Sequence, residues 1–398
     1  MTEKSLTYIC GVFLSLLIAC NPEKQPGQPN DVAAMIADIQ AEYAPDKRVA
    51  VFDIEAADKN GQLVLRGETD LSQAKKALLT QLAEESPDIV DSIILLPDAS
   101  VIPDSLGVVS ISVANIRSEP RHSAELATQA TMGMPLRILK KQGEWHLVQT
   151  PDKYISWMQG SFQPMDAAAF EAWKNADKLI YTHIYGFAYQ NASFSEGTAS
   201  DLVAGDVMEL LRETPSAYEV RFPDGRKAFV KKEEAAPFDG WLAQAEATEN
   251  TLVNTAFKLL GVPYLWGGTS TKGVDCSGFT KTIYFMNGFM LPRDASQQVH
   301  AGTLIDETKN FENLQPGDLL FFGYAATDST RERVTHVGMW IGNQEFIHAP
   351  GLEAHVRVSS IDPAAENYDA FNLNRYLRTK RMTSSTNEII NLKEVALF

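Results

Sequence analysis

Residues 261–279 decide the fold of the C-terminal part of the chain and read GVPYLWGGTSTKGVDCSGF. The residues after Cys276 have helical spacing, with one apolar face formed by Phe279, Ile283 and Met286. Cys276 therefore stands at a helix N-terminus, where free backbone N–H groups and the helix dipole favour a negative charge. We expect a lowered thiol pKa and a reactive thiolate. The adjacent Gly278 has no side chain, so we expect a substrate backbone to approach closely here.

Two histidines lie further along the chain, at the spacing of neighbouring strands. In residues 335–342, THVGMWIG, alternate side chains form an apolar core face, and His336 points to the opposite side, away from the buried face. His348 follows a tight turn at residues 342–344, so a hairpin can bring the two rings together. We expect His336 to act as the base for Cys276 and His348 to orient its ring, as nucleophilic catalysis requires.

The cysteine count supports this interpretation. Cys10 and Cys20 belong to the leader described below, so Cys276 is the single thiol beyond it. The ordinary alternatives are an inert buried cysteine and structural histidines, but one thiol with two paired histidines, out of only seven, favours catalysis. A metal site is less favoured, because one cysteine and two histidines lack a fourth ligand and neither CxxC nor HExxH spacing occurs.

The chain begins with a segment typical of export. Lys4 precedes an apolar run over residues 8–19 that is too short to span a bilayer, and residues 17–20 read LIAC. This ending resembles the lipobox of bacterial lipoproteins, with Cys20 as the lipid attachment point; an ordinary secretory signal is the alternative. We expect a signal peptide over residues 1–20, a tether over residues 21–30, and a protein that is exported and lipid-anchored to a membrane of the cell envelope, periplasmic or associated with the outer membrane.

Composition excludes two classes of protein. The chain has 398 residues, with 35 Lys and Arg against 51 Asp and Glu, and this net charge of −16 argues against nucleic-acid binding. Hydrophobic residues make up 44% and charged residues 22%, which is typical of folded domains and not of disordered chains. Beyond the leader, no apolar run is long enough to predict a membrane-spanning helix.

Three regions separate the tether from the domain that contains Cys276. Residues 31–104 combine helical and strand patterns and predict a small α+β domain, called the N-terminal domain below. Residues 105–165, the first barrel, resemble a bacterial SH3 barrel in three motifs: NIRSEP at 115–120, GEW at 143–145 and DKYISWM at 152–158. Residues 178–238, the second barrel, repeat the pattern with five candidate strands. We expect residues 378–398 to form a polar C-terminal tail.

Residues 245–377, the C-terminal domain, resemble the NlpC-type peptidases, which are papain-like cysteine hydrolases of bacterial cell walls. The resemblance rests on six motifs in the family's order: GVPYLWGG, DCSGF, LPRDASQQ, LQPGDLLFF, THVGMWIG and FIHAPG. It implies an α+β fold with Cys276 as nucleophile, His336 as base and His348 as the residue that orients the base. It also implies that the Tyr264 hydroxyl and the backbone N–H of Cys276 form an oxyanion hole. No metal or cofactor is implied.

Two barrels ahead of such a domain resemble the architecture of γ-D-glutamyl-L-diamino-acid endopeptidases. In those enzymes the first barrel closes one end of the groove and recognises the free amine of an N-terminal L-alanine. The resemblance implies that Asp294 and Glu125 supply the counter-charge and that Tyr154 accompanies them. It places three more residues at the substrate: Asp275, Ser277 and Arg293. Ala295 stands where many relatives have serine, so one substrate hydrogen bond is in doubt.

The sequence thus predicts an exported hydrolase that cleaves the γ-D-glutamyl-L-diamino acid bond of peptidoglycan stem peptides or muropeptides with a free N-terminal L-alanine. Simpler roles stay open for two residues: Asp294 as a helix N-cap with Gln297 completing a capping box, and Glu125 as an exposed barrel charge. Two other functions also stay open, a catalytically silent lipoprotein that binds wall peptides and a thiol acyltransferase that uses the same triad.

Overall fold

The computed structural model describes residues 29–59, 62–85, 88–351, 354–382 and 388–398. The predicted signal peptide with Cys20, and residues 21–28 of the predicted tether, lie outside the described residues. Within those described ranges, no helix is long and apolar enough to cross a membrane. The architecture is the predicted α+β class, in which small sheets and short helices alternate along the chain.

The N-terminal domain is a three-stranded sheet covered by two helices. Its elements are α1 (Pro29–Tyr43), β1 (Phe52–Lys59), β2 (Gln62–Thr69), α2 (Ser72–Glu85) and β3 (Val90–Leu95). β1 and β2 are antiparallel, whereas β2 and β3 are parallel because α2 forms the crossover between them. α2 packs on the sheet through fully buried residues spaced four apart: Ala74, Leu78 and Leu82.

The first barrel is a single seven-stranded sheet. Its strands are β4 (Leu106–Val109), β5 (Val113–Arg117), β6 (Leu126–Thr131), β7 (Pro135–Gln142), β8 (Trp145–Gln149), β9 (Ile155–Gln159) and β10 (Phe162–Met165). They are paired in the order β10-β4-β7-β8-β9-β5-β6. Buried and exposed residues alternate, as in β5, where Ala114 and Ile116 are buried and Asn115 is exposed. A helix, α3 (Ala167–Asn175), leads to the second barrel.

The second barrel has the same topology as the first. Its strands are β11 (Lys178–Tyr181), β12 (Tyr185–Tyr189), β13 (Thr198–Val203), β14 (Val207–Glu213), β15 (Ala217–Arg221), β16 (Lys227–Lys231) and β17 (Ala235–Pro237), the last preceded by a 3-10 turn at Lys232–Glu234. The pairing order is β13-β12-β16-β15-β14-β11-β17, which, read from its other edge, is the order of the first barrel with each strand number raised by seven. Two strands, β12 and β17, escape the sequence prediction because neither alternates cleanly between apolar and polar residues.

The C-terminal domain contains the remaining elements. They are α4 (Phe238–Gln244), α5 (Glu249–Lys258), β18 (Thr269–Ser270), β19 (Gly273–Val274), α6 (Cys276–Phe285), β20 (Phe289–Met290), α7 (Ala295–Gln298), β21 (Thr303–Asp306), β22 (Leu319–Tyr324), β23 (Arg333–Gly342), β24 (Glu345–His348), β25 (Arg357–Ser360), α8 (Ala370–Asn374), β26 (Tyr376–Arg381) and β27 (Ile390–Asn391).

An antiparallel sheet in the order β21-β26-β22-β23-β24-β25 forms the centre of this domain. α6 packs across β23, where Phe279 and Ile283 of the helix share a buried cluster with Val337 and Met339. The opposite face of β23 is also covered, by a second apolar cluster that includes Trp340. Both faces of the central strand are therefore removed from water, and this decides the environment of His336.

The predicted boundary at residue 377 falls inside β26, so it does not separate a tail from the domain. β26 pairs with β22 in the middle of the sheet, and β27 pairs with β20. The last residue, Phe398, packs against Phe238 and Phe285 with ring centroids 5.2 and 6.2 Å apart. The described part of the predicted tail thus completes the C-terminal domain, because its apolar side chains find partners that a composition-based prediction does not see.

Candidate active site

Cys276 is the first residue of α6, and its side chain is half-buried. Asp275 is the N-cap of this helix: one carboxylate oxygen accepts the backbone N–H of Gly278 at 2.7 Å, and the other accepts that of Gly267 at 3.1 Å. The cap fixes the first turn of α6 and with it the direction of the Cys276 side chain. It also places a negative charge next to the sulfur.

The prediction that Gly278 lets a substrate backbone approach closely is wrong, because this glycine serves the fold. A Cβ atom at this position would lie 1.9 Å from the carbonyl oxygen of Gly268. The space beside Gly278 is therefore filled by the chain's own loop. The glycine is needed because this loop crosses the start of α6 at backbone contact distance.

The predicted lowering of the thiol pKa is wrong. Burial raises the pKa of Cys276 to about 12, and the neighbouring carboxylate of Asp275 adds to the rise. The backbone N–H group of Val337 and the charge of Arg293 act in the opposite direction but do not cancel the effect of burial. The helix N-terminus is present, yet the desolvation of a thiolate outweighs it.

A chain of hydrogen bonds runs behind the site. Nε2 of His336 lies 2.7 Å from Nδ1 of His348, which confirms the predicted contact across the β23–β24 hairpin. Nε2 of His348 in turn lies 3.0 Å from the hydroxyl of Ser359 and 3.9 Å from a carboxylate oxygen of Asp369. This series of hydrogen bonds fixes the orientation of the His336 ring. It engages Nε2 of that ring, so Nδ1 of His336 is the nitrogen that does not contact His348.

His336 is buried, whereas the sequence predicted a side chain that points away from the buried face. It is only 5% exposed and stacks on Phe322 with ring centroids 5.7 Å apart. Burial lowers the pKa of His336 to about 4, and the charge of Arg375 contributes to the decrease. The imidazole is therefore neutral near pH 7, which is the form a general base needs. His336 and Cys276 line the same cleft, and burial favours the neutral form of both.

Tyr264 lines this cleft as well. Burial raises the pKa of its phenol above the ordinary range, and the proximity of Cys276 adds to the effect. The hydroxyl consequently keeps its proton and can donate a hydrogen bond. A protonated phenol in this cleft has the hydrogen-bond donor that an oxyanion hole requires.

Arg293, Asp275 and Ser277 are bonded to one another at the floor of the cleft. The Arg293 guanidinium is 1% exposed and lies 2.6 Å from the Asp275 carboxylate and 3.0 Å from the Ser277 hydroxyl. It also donates to the hydroxyl of Thr128 in the first barrel at 3.0 Å. These three side chains line the cleft, but they use their polar groups mainly to hold the N-terminus of α6 against the first barrel.

The other end of the cleft is acidic. Asp294 is the N-cap of α7, its backbone N–H donates to the Gln297 side chain at 3.1 Å, and its carboxylate accepts the Tyr154 hydroxyl at 3.4 Å. The capping role left open by the sequence is thus present together with a carboxylate at the cleft. Glu125 accepts the indole N–H of Trp266. Asp294, Glu125 and Tyr154 all lie in the cleft that holds Cys276.

The N-terminal domain contributes a residue that sequence analysis missed. Arg48 donates to the Asp294 carboxylate at 2.7 Å and to the Ser296 hydroxyl at 2.8 Å. Asp46 holds the same guanidinium through two of its nitrogens, at 2.8 and 2.7 Å. No signal in the sequence points to this contact, because Arg48 and Asp294 are 246 residues apart and no motif surrounds Arg48.

The first barrel forms one wall of the cleft. A Cβ atom at Gly267, whose φ is +77°, would lie 2.1 Å from the carbonyl oxygen of Leu126, so the barrel backbone touches the loop before Cys276. A buried ion pair at 2.7 Å joins Lys281 of α6 to Asp152 of the barrel. The cleft encloses about 560 Å³ between these surfaces. Among the residues that the structure describes, no group of three or more His, Cys, Asp or Glu side chains is placed to hold a metal ion.

Two family models match the chain. One describes the NlpC/P60 family and covers residues 261–373, and the other describes a bacterial dipeptidyl-peptidase Sh3 domain and covers residues 116–161. Their ranges coincide with the domain that carries Cys276 and with the barrel that walls its cleft. Neither reaches the N-terminal domain.

Similar proteins span most of the same architecture. A γ-D-glutamyl-L-lysine dipeptidyl-peptidase of Bacillus cereus is 31% identical over 64% of this chain and 76% of its own length. One of Bacillus subtilis is 29% identical over 59% of this chain and 76% of its own length. The crystal structure of an NlpC/P60 family protein from Bacillus cereus is similar with a TM-score of 0.61 and 25% identity, over 70% of this chain and 100% of that one. Together with the cysteine, the paired histidines and the barrel wall, these similarities show that the chain belongs to the NlpC/P60 family and is a cysteine peptidase of that family.

Proposed function

We propose that this peptidase hydrolyses the γ-D-glutamyl-L-diamino acid bond of peptidoglycan stem peptides that have a free N-terminal L-alanine. The observation that carries the proposal is one cleft with Cys276 at a helix N-terminus, His336 fixed by His348, and carboxylates at the far end. The names of the similar Bacillus enzymes, which specify a γ-D-glutamyl bond, support the same reaction.

The first step is attack of the Cys276 sulfur on the γ-carbonyl carbon of D-glutamate. Because both groups are neutral beforehand, the thiol proton passes to Nδ1 of His336 as the carbon–sulfur bond forms. With Nδ1 of His336 as the base, its Nε2–H donates to Nδ1 of His348, and this hydrogen bond holds the ring in line during the transfer. The oxyanion takes hydrogen bonds from the Tyr264 hydroxyl and the backbone N–H of Cys276.

Collapse of this intermediate breaks the carbon–nitrogen bond. His336 then protonates the leaving amine, and the L-Ala-γ-D-Glu moiety stays on Cys276 as a thioester. In the second half, His336 takes a proton from water, the hydroxide attacks the thioester, and the thiol receives the proton back. The balance is one water consumed per bond, with a new carboxylate on D-glutamate and a free amine on the diamino acid.

The acidic end of the cleft supports recognition of a free amine. Asp46, Arg48 and Asp294 together carry one net negative charge, and Glu125 adds a second at the cleft wall. An ammonium group can pair with such a site, whereas an acylated amine carries no charge to offset the desolvation of the carboxylates. Export and lipid attachment at Cys20, to a membrane of the cell envelope, are proposed on the leader sequence alone.

The test is incubation of the protein with L-Ala-γ-D-Glu-diamino acid peptides, with and without N-acetylation, and separation of the products by chromatography. Release of L-Ala-γ-D-Glu from the free peptide, with poor cleavage of the acetylated one, is expected. Equal cleavage of both would remove the amine-recognition part of the proposal. Binding without turnover would favour the silent wall-binding function, and transfer of the acyl group to an added amine in preference to water would favour the acyltransferase.

A further inference from the structure

The mechanism defines where the leaving residue must lie. His336 gives its proton to the leaving amine, so the diamino acid has to sit against the accessible edge of the His336 ring. The cleft surface next to His336 is formed by residues 333–335 at the start of β23 and by Arg375, which follows α8. The proximity of Arg375 also follows from its part in lowering the pKa of His336.

Two arginines and two exposed rings form this surface, called the arginine surface below. The guanidinium carbons of Arg333 and Arg375 lie 4.9 and 6.0 Å from the ring centre of Tyr324, and that of Arg375 lies 4.0 Å from the ring of Phe371. Tyr324 and Phe371 are 52% and 67% exposed. No step of the proposed hydrolysis uses the two arginines, although both line the catalytic cleft.

Neither guanidinium has an acidic partner within the described ranges of the chain, since no ion pair involves Arg333 or Arg375 there. Arg375 is held by neutral groups, the Thr335 hydroxyl at 2.9 Å and the Asn372 side chain at 2.8 Å. Its buried Nε has no hydrogen-bond partner among the residues that the structure describes. By contrast, the neighbouring Arg378 is paired with Glu332. The arginine surface therefore presents two uncompensated positive charges in a chain with a net charge of −16.

We propose that Arg333 and Arg375 bind a carboxylate on the side chain of the leaving diamino acid, so that this enzyme prefers a diaminodicarboxylic acid such as diaminopimelate to lysine. The inference rests on the proposed function and refines its substrate. Guanidinium groups form strong, directional bonds to carboxylates, whereas the lysine side chain has the ammonium of diaminopimelate without its carboxylate and offers the arginines no anion. The cleft then matches its substrate at both ends, with carboxylates for the amine and arginines for the carboxylate.

The experiment compares three tetrapeptides, L-Ala-γ-D-Glu-X-D-Ala, in which X is meso-diaminopimelate, its side-chain amide, or L-lysine. All three carry the same α-carboxylate on D-glutamate and the same terminal carboxylate, so the comparison isolates the side chain of X. We expect kcat/KM to be about tenfold or more higher for the dicarboxylic peptide than for its amide, the size of a charge-assisted hydrogen bond.

Arg333→Gln is the decisive variant, because the Arg333 side chain is exposed and donates no hydrogen bond to any described part of the chain. It should bring the ratio of kcat/KM between the acid and the amide close to one, while Arg375→Lys, which keeps a charge, should retain part of it. Arg331→Gln is the matched control: it removes the same charge two residues away, outside the cleft, and should leave the ratio unchanged.

The outcomes separate this inference from the function on which it rests. Equal kcat/KM for the three peptides, or a ratio that Arg333→Gln does not change, overturns the role of the arginine surface while the hydrolase stands. Failure to cleave any of the peptides under conditions where the protein is folded overturns the hydrolase itself, and the refinement with it.

Discussion

Replacing Arg293 by methionine should destabilise the C-terminal domain strongly. The guanidinium is 1% exposed and bonded to Asp275 at 2.6 Å, so the variant leaves a buried carboxylate without its counter-charge. Removing one partner of a buried ion pair costs about 3–5 kcal/mol. Asp275 keeps the N–H groups of Gly278 and Gly267, which places the expected loss towards the lower end of this range.

The assay is urea unfolding followed by tryptophan fluorescence, with the free energy of unfolding extrapolated to water. Arg121→Met is the matched control, because Arg121 forms a 2.9 Å pair with Glu119 in the adjoining first barrel with both side chains more than half exposed. Water screens an exposed ion pair, so this variant should barely change stability. Similar, small losses in both variants would refute the reasoning, since they would mean that the burial of Arg293 has no energetic consequence.

The double variant Asp275→Asn with Arg293→Met checks the mechanism of the loss. If the penalty arises from an unpaired buried charge, removing both charges should cost less than the sum of the single substitutions, by about 2 kcal/mol or more. Additive losses would assign the destabilisation to lost packing around the methylene groups of Arg293. Enzyme activity is a separate readout, because Asp275 also fixes the first turn of α6 and the direction of Cys276.

Three further results are expected. Cys276→Ala should abolish peptide hydrolysis with little change in melting temperature, and residual turnover in that variant would exclude the proposed nucleophile. His348→Ala should lower kcat by about a hundredfold with little change in KM, because the ring of His336 loses the 2.7 Å contact that orients it. His348→Asn, which can restore a hydrogen bond to that ring, should recover part of the rate. Since the pKa of His336 is lowered from 6.5 to about 4, activity should persist in mild acid and fall as the pH approaches 4. As the pH falls, the His336 ring should be protonated in the unfolded chain before it is protonated in the folded protein. The contribution of this buried ring to the free energy of unfolding is therefore fully present above about pH 6.5 and is lost towards pH 4. Activity that falls with a midpoint near 6.5 would contradict the burial of this ring.

The local motifs predicted the central groups of the site well. The 261–279 stretch placed Cys276 at the start of a helix, and the twelve-residue spacing across a tight turn placed His348 beside His336. Both inferences need only the periodicity of one helix and one hairpin, which are encoded in neighbouring residues. The same holds for the strands of the first barrel, whose turns are marked by Gly and Pro.

Burial and long-range contacts were beyond this kind of reasoning. The second face of β23 is covered because Phe322 and Trp340 pack together in the folded domain. His336 is therefore buried, although the sequence predicted that it points away from the buried face. The prediction of a lowered pKa for the Cys276 thiol was wrong for a related reason. The helix N-terminus can be recognised in the sequence, whereas the desolvation of the thiolate by the surrounding fold cannot. Arg48 could not be assigned to the site because its partner Asp294 belongs to another domain.

The two barrels share a strand order but not a task. The first touches the loop before Cys276 and supplies Glu125, Tyr154 and Asp152 to the cleft or to α6. The second bonds to the first, as where the buried Asp206 accepts the backbone N–H of Met132 at 3.0 Å. One topology thus serves once as an active-site wall and once as a brace for that wall.

The bond between Arg48 and Asp294 has a practical consequence for anyone who shortens the chain. A fragment that starts at the first barrel keeps the sulfur, both imidazoles and the phenol, and could be mistaken for the whole enzyme. The end of the cleft proposed to bind the amine would nevertheless carry one carboxylate and one guanidinium fewer, since Asp46 and Arg48 are removed together. Substrate selectivity measured on such a fragment would describe an altered binding site. The selectivity of this enzyme has to be measured on a chain that includes Asp46 and Arg48.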